Sequence, residues 1–231
     1  MKKLLYYTMF GDIYTHMGLL SIKSVEALNT GIDILVISDK QFENYKTIIV
    51  DEEMTAVEIM CLRAHISDFI DIEQYDQIWF ADTDIIFKRN PFDLFDNETH
   101  IKVCREVWTT LAGQREWFAK LLSEEDFQVL KSENGINGGF YMIPKCQYEF
   151  FTEYKAVISY FRNTYPNDIS ADQQALNYIY HKGKFNISTM PVSIECFPAR
   201  QEYKNHYLKH FACYPNEEKK LLMNKENGTH I

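Results

Sequence analysis

The sequence predicts an α/β fold around a largely parallel sheet, and three observations lead there. Apolar runs of strand length alternate with stretches of helical spacing through the first half of the chain. The first two runs and the helical stretch between them form a βαβ unit, which requires parallel pairing. Past residue 95 the alternation becomes irregular, so the parallel half is fused to a mixed one.

Taken in order, KKLLYYTM reads as the first strand. Tyr14 to Leu28 follows as a helix, with Leu19, Leu20, Ile22, Val25 and Leu28 near helical spacing. Gly31 closes it, and Ile32 to Ser38 is a second, buried strand. Met54 to Ile70 reads as one helix with Val57, Met60, Cys61, Ala64 and Ile66 inward, and QIWFA after it is a third strand ending near Asp82. IKVC (Ile101 to Cys104) suggests a strand, Trp108 to Leu130 one or two helices, and GINGGFYMI a strand entered through a glycine turn. Cys146 to Tyr160 and Ala171 to His181 read as helices; short strands follow at Phe185 to Ile187 and Val192 to Ile194, and His206 to Ala212 is the last. We expect one domain over 1–231: a nucleotide-binding half at about 1–95, a second half at about 96–215, and a polar tail from Asn216 onward.

Composition narrows the function. At 231 residues, 46% apolar and 25% charged, the chain can bury a substantial core. A net charge of −9 argues against a protein built to grip nucleic acid phosphates. The five cysteines are odd in number and widely spaced, without a C-x-x-C pair, and fit reduced thiols in a cytosol-like compartment. The N-terminal MKKLLYYTMF lacks a small-residue cleavage site after its apolar run and reads as a strand rather than a signal peptide. No run approaches the roughly 20 apolar residues of a membrane span, which leaves room only for peripheral membrane contact. The sequence is silent on oligomeric state.

The stretch YDQIWFADTDIIF, Tyr75 to Phe87, sets Asp82 and Asp84 inside one of the most apolar runs of the chain. Unpaired buried carboxylates are costly, so something positive should meet them. An acidic pair at a strand end can simply cap the following turn. Strand alternation, however, points both side chains the same way, at the C-terminal strand edge where open α/β sheets bind ligands, and two such carboxylates suit a hard divalent cation.

The run RAHISDFIDIEQYDQIWFADTDIIF, Arg63 to Phe87, resembles the helix–strand–Asp-x-Asp segment of metal-dependent glycosyltransferases of the GT-A fold, most closely glycosyltransferase family 8, the glycogenin and lipopolysaccharide galactosyltransferase group. The fold this implies is a Rossmann-like nucleotide-binding half with a mixed central sheet, fused to a smaller acceptor half. Three further segments resemble the family in its order. GINGGFYMIPK is similar to its Asn-small-Gly strand, which implies that Asn137, Gly138 and Gly139 line the sugar site; as a plain reading, Asn-Gly makes a hairpin turn. SADQQALNYIY is similar to its Asp-Gln-x-x-Leu-Asn helix start, which implies that Asp172 and Gln173 orient the donor sugar; the plain reading is Ser170 as helix cap. KHFA resembles the segment whose histidine is the third metal ligand, implying Asp82, Asp84 and His210 around Mn²⁺ or Mg²⁺, with His206 the competing histidine. The match then departs: Cys213 stands near the family's glycine, and Lys219 and Lys220 come later than its diphosphate-binding lysine.

Arg63 sits where the family's donor-contacting arginine is expected, and Thr8, Asp12 and Tyr14 follow the first strand where the family binds base and ribose. The resemblance implies transfer of a sugar from a nucleoside diphosphate sugar, a uridine diphosphate hexose, to the hydroxyl of a glycan or other acceptor, with retention at the anomeric carbon. Were the reaction inverting, Asp172 is the candidate base. An inactive glycosyltransferase-like binding protein and an Asp-x-Asp phosphohydrolase are the rival readings.

Overall fold

The computed structural model describes residues 1–50, 53–198 and 205–228, apart from the side chain of Cys196. Strand β1 (Lys3–Met9) leads into helix α1 (Gly11–Glu26), followed by β2 (Asp33–Ser38) and β3 (Lys46–Ile49). Helix α2 (Ala56–Cys61) passes through a 3₁₀ turn at Leu62–His65 into α3 (Ile66–Phe69); β4 (Gln77–Ala81) and β5 (Ile85–Phe87) then flank the Asp-x-Asp segment. The second half holds β6 (Ile101–Thr110), α4 (Arg115–Phe118), α5 (Glu124–Leu130), β7 (Asn134–Pro144), α6 (Glu149–Thr164) and α7 (Ala171–Lys182). It ends with β8 (Ile187–Thr189), β9 (Glu195–Cys196), β10 (Leu208–His210) and α8 (Asn216–Glu226).

A seven-stranded sheet runs β3-β2-β1-β4-β7-β6-β8, and β5-β10-β9 form a second, three-stranded sheet. In the large sheet only β7 runs against its neighbours. Alternation along the strands builds two cores. Leu4, Tyr6, Ile78, Phe80 and Tyr141 face α6 and α7, while Leu5, Tyr7, Trp79, Phe140 and Met142 face the other layer, which includes Ile22 and Val25 of α1. Strands buried on both faces are apolar throughout, which is why these runs stand out in the sequence.

Several expectations need correction. The expected helix from Met54 to Ile70 is broken by the 3₁₀ turn, where the Tyr6 hydroxyl donates to the Arg63 carbonyl at 2.5 Å, and Met60 is exposed rather than inward. Strand β3 was not anticipated, and Trp108 extends β6 instead of starting a helix. Ser170 makes no side-chain cap on α7; its hydroxyl turns back to Asp168 Oδ1 at 2.6 Å. The expected polar tail is a helix through Glu226, with residues 229–231 outside the described ones. Helix α8 has acidic residues in its first turn and a lysine in its last, and buries Met223 against Met17 and Leu20 of α1. No described helix is long and apolar enough to cross a membrane, and the four cysteines with described side chains are free thiols.

Candidate active site

The Asp-x-Asp segment leaves the C-terminal edge of β4 and is tied down on both sides. The Asp82 amide donates to the Gly139 carbonyl at 2.7 Å, and the Phe211 amide donates to the Asp84 carbonyl at 2.9 Å. Pairing of β5 with β10 sets His210 opposite Ile85, the residue after Asp84. Register, not sequence proximity, therefore joins His210 to the two aspartates. One ligand atom from each of Asp82, Asp84 and His210 lies within 4.8 Å of the other two.

Each aspartate gives one oxygen to a fixed cation and leaves the other for the centre. Asp82 Oδ1 is 3.1 Å from an Arg63 guanidinium nitrogen, and Asp84 Oδ2 is 2.6 Å from Lys219 Nζ. The remaining oxygens face His210 Nε2, at 3.6 Å from Asp82 Oδ2 and 3.2 Å from Asp84 Oδ1. That nitrogen is buried and makes no well-directed hydrogen bond. Gly139 completes the cradle, since an added Cβ would stand 2.8 Å from Asp82 Oδ2 and closer still to the His210 ring. Two carboxylate oxygens and one imidazole nitrogen brought this close together suit a divalent cation. The residues present fit the metal that the resemblance implies.

The electrostatics follow the contacts. Burial would raise the Asp84 pKa, but His210 and Lys219 outweigh it and hold the carboxyl well below its usual range. Burial would likewise lower His210, yet Asp84 and Glu195 raise it well above the ordinary histidine value. Asp172, only 2% exposed, has its pKa raised by burial against the opposing pull of Arg63.

Arg63 is 3% exposed and links three parts of the site. Besides Asp82 it reaches Asp172 Oδ2 at 3.0 Å and donates to the Gly138 carbonyl at 3.1 Å, with its guanidinium 4.4 Å from the centre of the Phe80 ring. Gln173 clamps β7 from α7: Oε1 accepts from the Gly138 amide at 3.0 Å, and Nε2 donates to the Ile136 carbonyl. Asn177, one helical turn on, exchanges hydrogen bonds with both backbone groups of Ile136 at 2.8 and 3.0 Å. GINGG is therefore not a hairpin turn. It lies within β7, where the register against β6 jumps from Val103–Tyr141 to Cys104–Asn137. The Asn137 Oδ1 accepts from the Gly139 amide at 2.7 Å.

Arg63, Asp82, Asn137, Gly139, Asp172, Gln173 and His210 line one cleft of about 410 Å³, which Trp108, Trp117, Phe118 and Ile169 line as well. Gly138 contributes backbone behind it. Thr8, Asp12 and Tyr14 are not among its lining residues. Thr8 does share its sheet edge, standing two residues past the Tyr6–Phe80 pair as Asp82 does. Asp12 is exposed and pairs with Lys40 at 2.5 Å, and the Tyr14 hydroxyl accepts from Asn216 at 3.4 Å. His206 is buried, and the acid–histidine group found among the described residues contains His210 instead.

Two residues at the site receive no role from the sequence: Lys219 is noted but comes too late for the family's lysine, and Glu195 is not singled out. Lys219 arrives on α8, which the polar composition concealed, although Pro215 followed by Glu217 and Glu218 is a helix-start signal. Glu195, on the two-residue strand β9, reaches His210 Nδ1 at 2.6 Å and carries no sequence signal of its own.

The sequence matches the model of the nucleotide-diphospho-sugar transferase family over residues 29–223. Comparison with curated protein sequences finds no match. Among solved structures, the galactosyltransferase LgtC in complex with donor and acceptor sugar analogues is similar at a TM-score of 0.64 and 13% identity, over 96% of this chain and 95% of that one. A glycosyltransferase involved in glycosylation of the major capsid of PBCV-1 gives 0.63 and 13%, over 97% and 100%. The apo form of GlyE from Streptococcus pneumoniae gives 0.61 and 13%, over 98% and 63%. With a mostly parallel sheet interrupted by one antiparallel strand, and with a family match over most of its length, the chain belongs to the nucleotide-diphospho-sugar transferases and is a glycosyltransferase of the GT-A fold, similar to family 8.

Proposed function

We propose that the protein transfers a hexose from its uridine diphosphate to a glycan or other hydroxyl acceptor, with a divalent cation and with retention at the anomeric carbon. The observation that carries this reading is the convergence of Asp82, Asp84 and His210 beside Lys219 at the β4 edge. When bound there, Mn²⁺ or Mg²⁺ supplies positive charge to the diphosphate leaving group. Lys219 Nζ, already at the rim of this group of ligands, is the side chain to meet a diphosphate oxygen, the role that the family's earlier lysine performs by resemblance. Thr8, Asp12 and Tyr14 are the proposed contacts to base and ribose, the first on the sheet edge beside Asp82.

Arg63 and Asn137 face the sugar. The Arg63 guanidinium, itself held by Asp82, fixes Asp172 in place, so Asp172 is suited to orient a sugar hydroxyl rather than to swing as a base. Gln173 holds the glycine segment of β7 so that the sugar can approach its backbone closely. Trp108 and Trp117, which also line the cleft, offer apolar faces for the acceptor, and Trp117 is 46% exposed. The test is calorimetric titration of uridine diphosphate with Mn²⁺, Mg²⁺ or excess chelator, for the wild type and Asp84→Ala, with turnover of uridine diphosphate hexoses alongside. Metal-strengthened binding that Asp84→Ala abolishes supports the reading. Undiminished binding and transfer in chelator would overturn it.

A further inference from the structure

We infer that Glu195 is the positioning residue for the metal-binding histidine, fixing which nitrogen of His210 faces the cation. The inference rests on the metal reading above and concerns a residue outside the Asp-x-Asp and histidine motifs. Pairing of β9 with β10 sets Glu195 opposite Leu208, two residues before His210, and places Oε1 2.6 Å from His210 Nδ1. A carboxylate can only accept, so Nδ1 carries the proton and donates. Nε2 is thereby the nitrogen left to face Asp82 and Asp84, and in the neutral ring it holds the free lone pair. The Phe197 ring, 5.1 Å from the His210 ring centre, and Gly139 at the Cε1 edge hold the imidazole plane.

The cost of this arrangement argues that it serves the ligand set. The Glu195 side chain is 5% exposed, and its Oε2 is buried without a well-formed hydrogen bond, although the Cys104 thiol, a weak donor, lies beside the carboxylate. A histidine needed only for packing would be served at least as well by an apolar pair, because a buried ion pair gains little over hydrophobic residues of similar size. Histidines that ligate metals, by contrast, commonly donate their second ring N–H to a carboxylate, which fixes the tautomer and raises ligand basicity.

The experiment titrates the purified full chain with Mn²⁺ alone, following free Mn²⁺ by electron paramagnetic resonance, for wild type, Glu195→Ala and Glu195→Gln. Thermal unfolding of each metal-free variant runs in parallel. Glu195→Ala should weaken Mn²⁺ binding by roughly 10–100-fold. Glu195→Gln should recover most of the loss, because its carbonyl still accepts from Nδ1–H. Wild-type affinity in a folded Glu195→Ala overturns the inference, as does equal weakening in both variants. Should Glu195→Ala fail to fold, ¹⁵N spectra of the Zn²⁺-loaded wild type decide: a proton on Nδ1 with Nε2 bound supports the inference, and the reverse overturns it. A wild type that binds no metal defeats the reading beneath, whereas a wild type that binds while Glu195→Ala binds equally defeats only the role of Glu195.

Discussion

Replacing Gly139 with alanine should damage the metal site far more than the fold. The glycine is required by space and not by backbone, since its φ is not among the positive values. An added Cβ would lie 2.8 Å from both Asp82 Oδ2 and Asn137 Oδ1, and nearer still to His210 Cε1. Carbon–carbon contacts settle at about 3.5–4.0 Å, so the ring must retreat by more than ~0.7 Å. Metal coordination distances tolerate about ±0.2 Å, several times less than that retreat. Overpacking of this kind costs about 1–3 kcal/mol, and if the ligand set absorbs most of it, Mn²⁺ affinity falls roughly 5- to 150-fold. Were the whole fold to absorb it instead, Tm would drop by several degrees with affinity little changed. Calorimetry with Mn²⁺ and uridine diphosphate, beside thermal unfolding without ligand, separates the two. Gly138→Ala is the control, because its nearest neighbours are the Gln173 and Leu176 side chains at 3.1 and 3.3 Å, which can give way. Wild-type metal affinity in a folded Gly139→Ala would refute the packing argument.

Lys219→Met should split two affinities. Diphosphate binding in the presence of metal should weaken about tenfold or more, as expected for loss of a charge-assisted contact, while binding of metal alone should not weaken, because Lys219 competes for Asp84. Parallel loss of both in a folded variant would show that the lysine only braces Asp84. Trp117→Ala should raise the acceptor KM several-fold and leave the donor KM unchanged; steady-state kinetics against each substrate checks it. Metal affinity should rise with pH, because burial, which would lower the His210 pKa, is outweighed by Asp84 and Glu195, and the ring must shed a proton to bind. Titrations in buffers of different ionisation enthalpy should report that proton. The same raised pKa gives the metal-free fold a stabilising contribution that is complete below the unfolded histidine value and is lost as pH rises through the folded one.

The parts of this site legible in the sequence are those whose surroundings are local. Asp82 and Asp84 stand out because strand β4, buried on both faces, makes any charge near it conspicuous. His210 lies 126 residues from Asp84 and has no such contrast; the likeness of KHFA to a family segment pointed to it, and the β5–β10 register accounts for its position. Glu195 was illegible because burial comes to it only through a two-residue strand, too short to leave a period. Lys219 was set aside by counting residues after His210 toward a position the family uses. The count presumes the family's local path, whereas here Pro215 opens a helix that carries its first turns back over the site. The break in the expected Met54–Ile70 helix escaped for a related reason: apolar spacing does not distinguish α from 3₁₀ over a single turn.

The charges at the cleft explain why two aspartates can sit in so apolar a strand before any metal arrives. Asp82, Asp84, Asp172 and Glu195 bring four carboxylates, and Arg63, Lys219 and protonated His210 bring three fixed or acquired positive charges to meet them. No carboxylate among them lacks a cationic neighbour, so the metal-free fold is already close to electrically balanced. Binding of a divalent cation would then trade the His210 proton for two charges, which takes the group from one net negative charge to neutral. A nucleoside diphosphate brings negative charge to that same edge, so cation and diphosphate should each favour the other, and neither should bind as well alone. The arrangement that keeps the carboxylates stable without ligand is thus the one that couples the two ligands when they come.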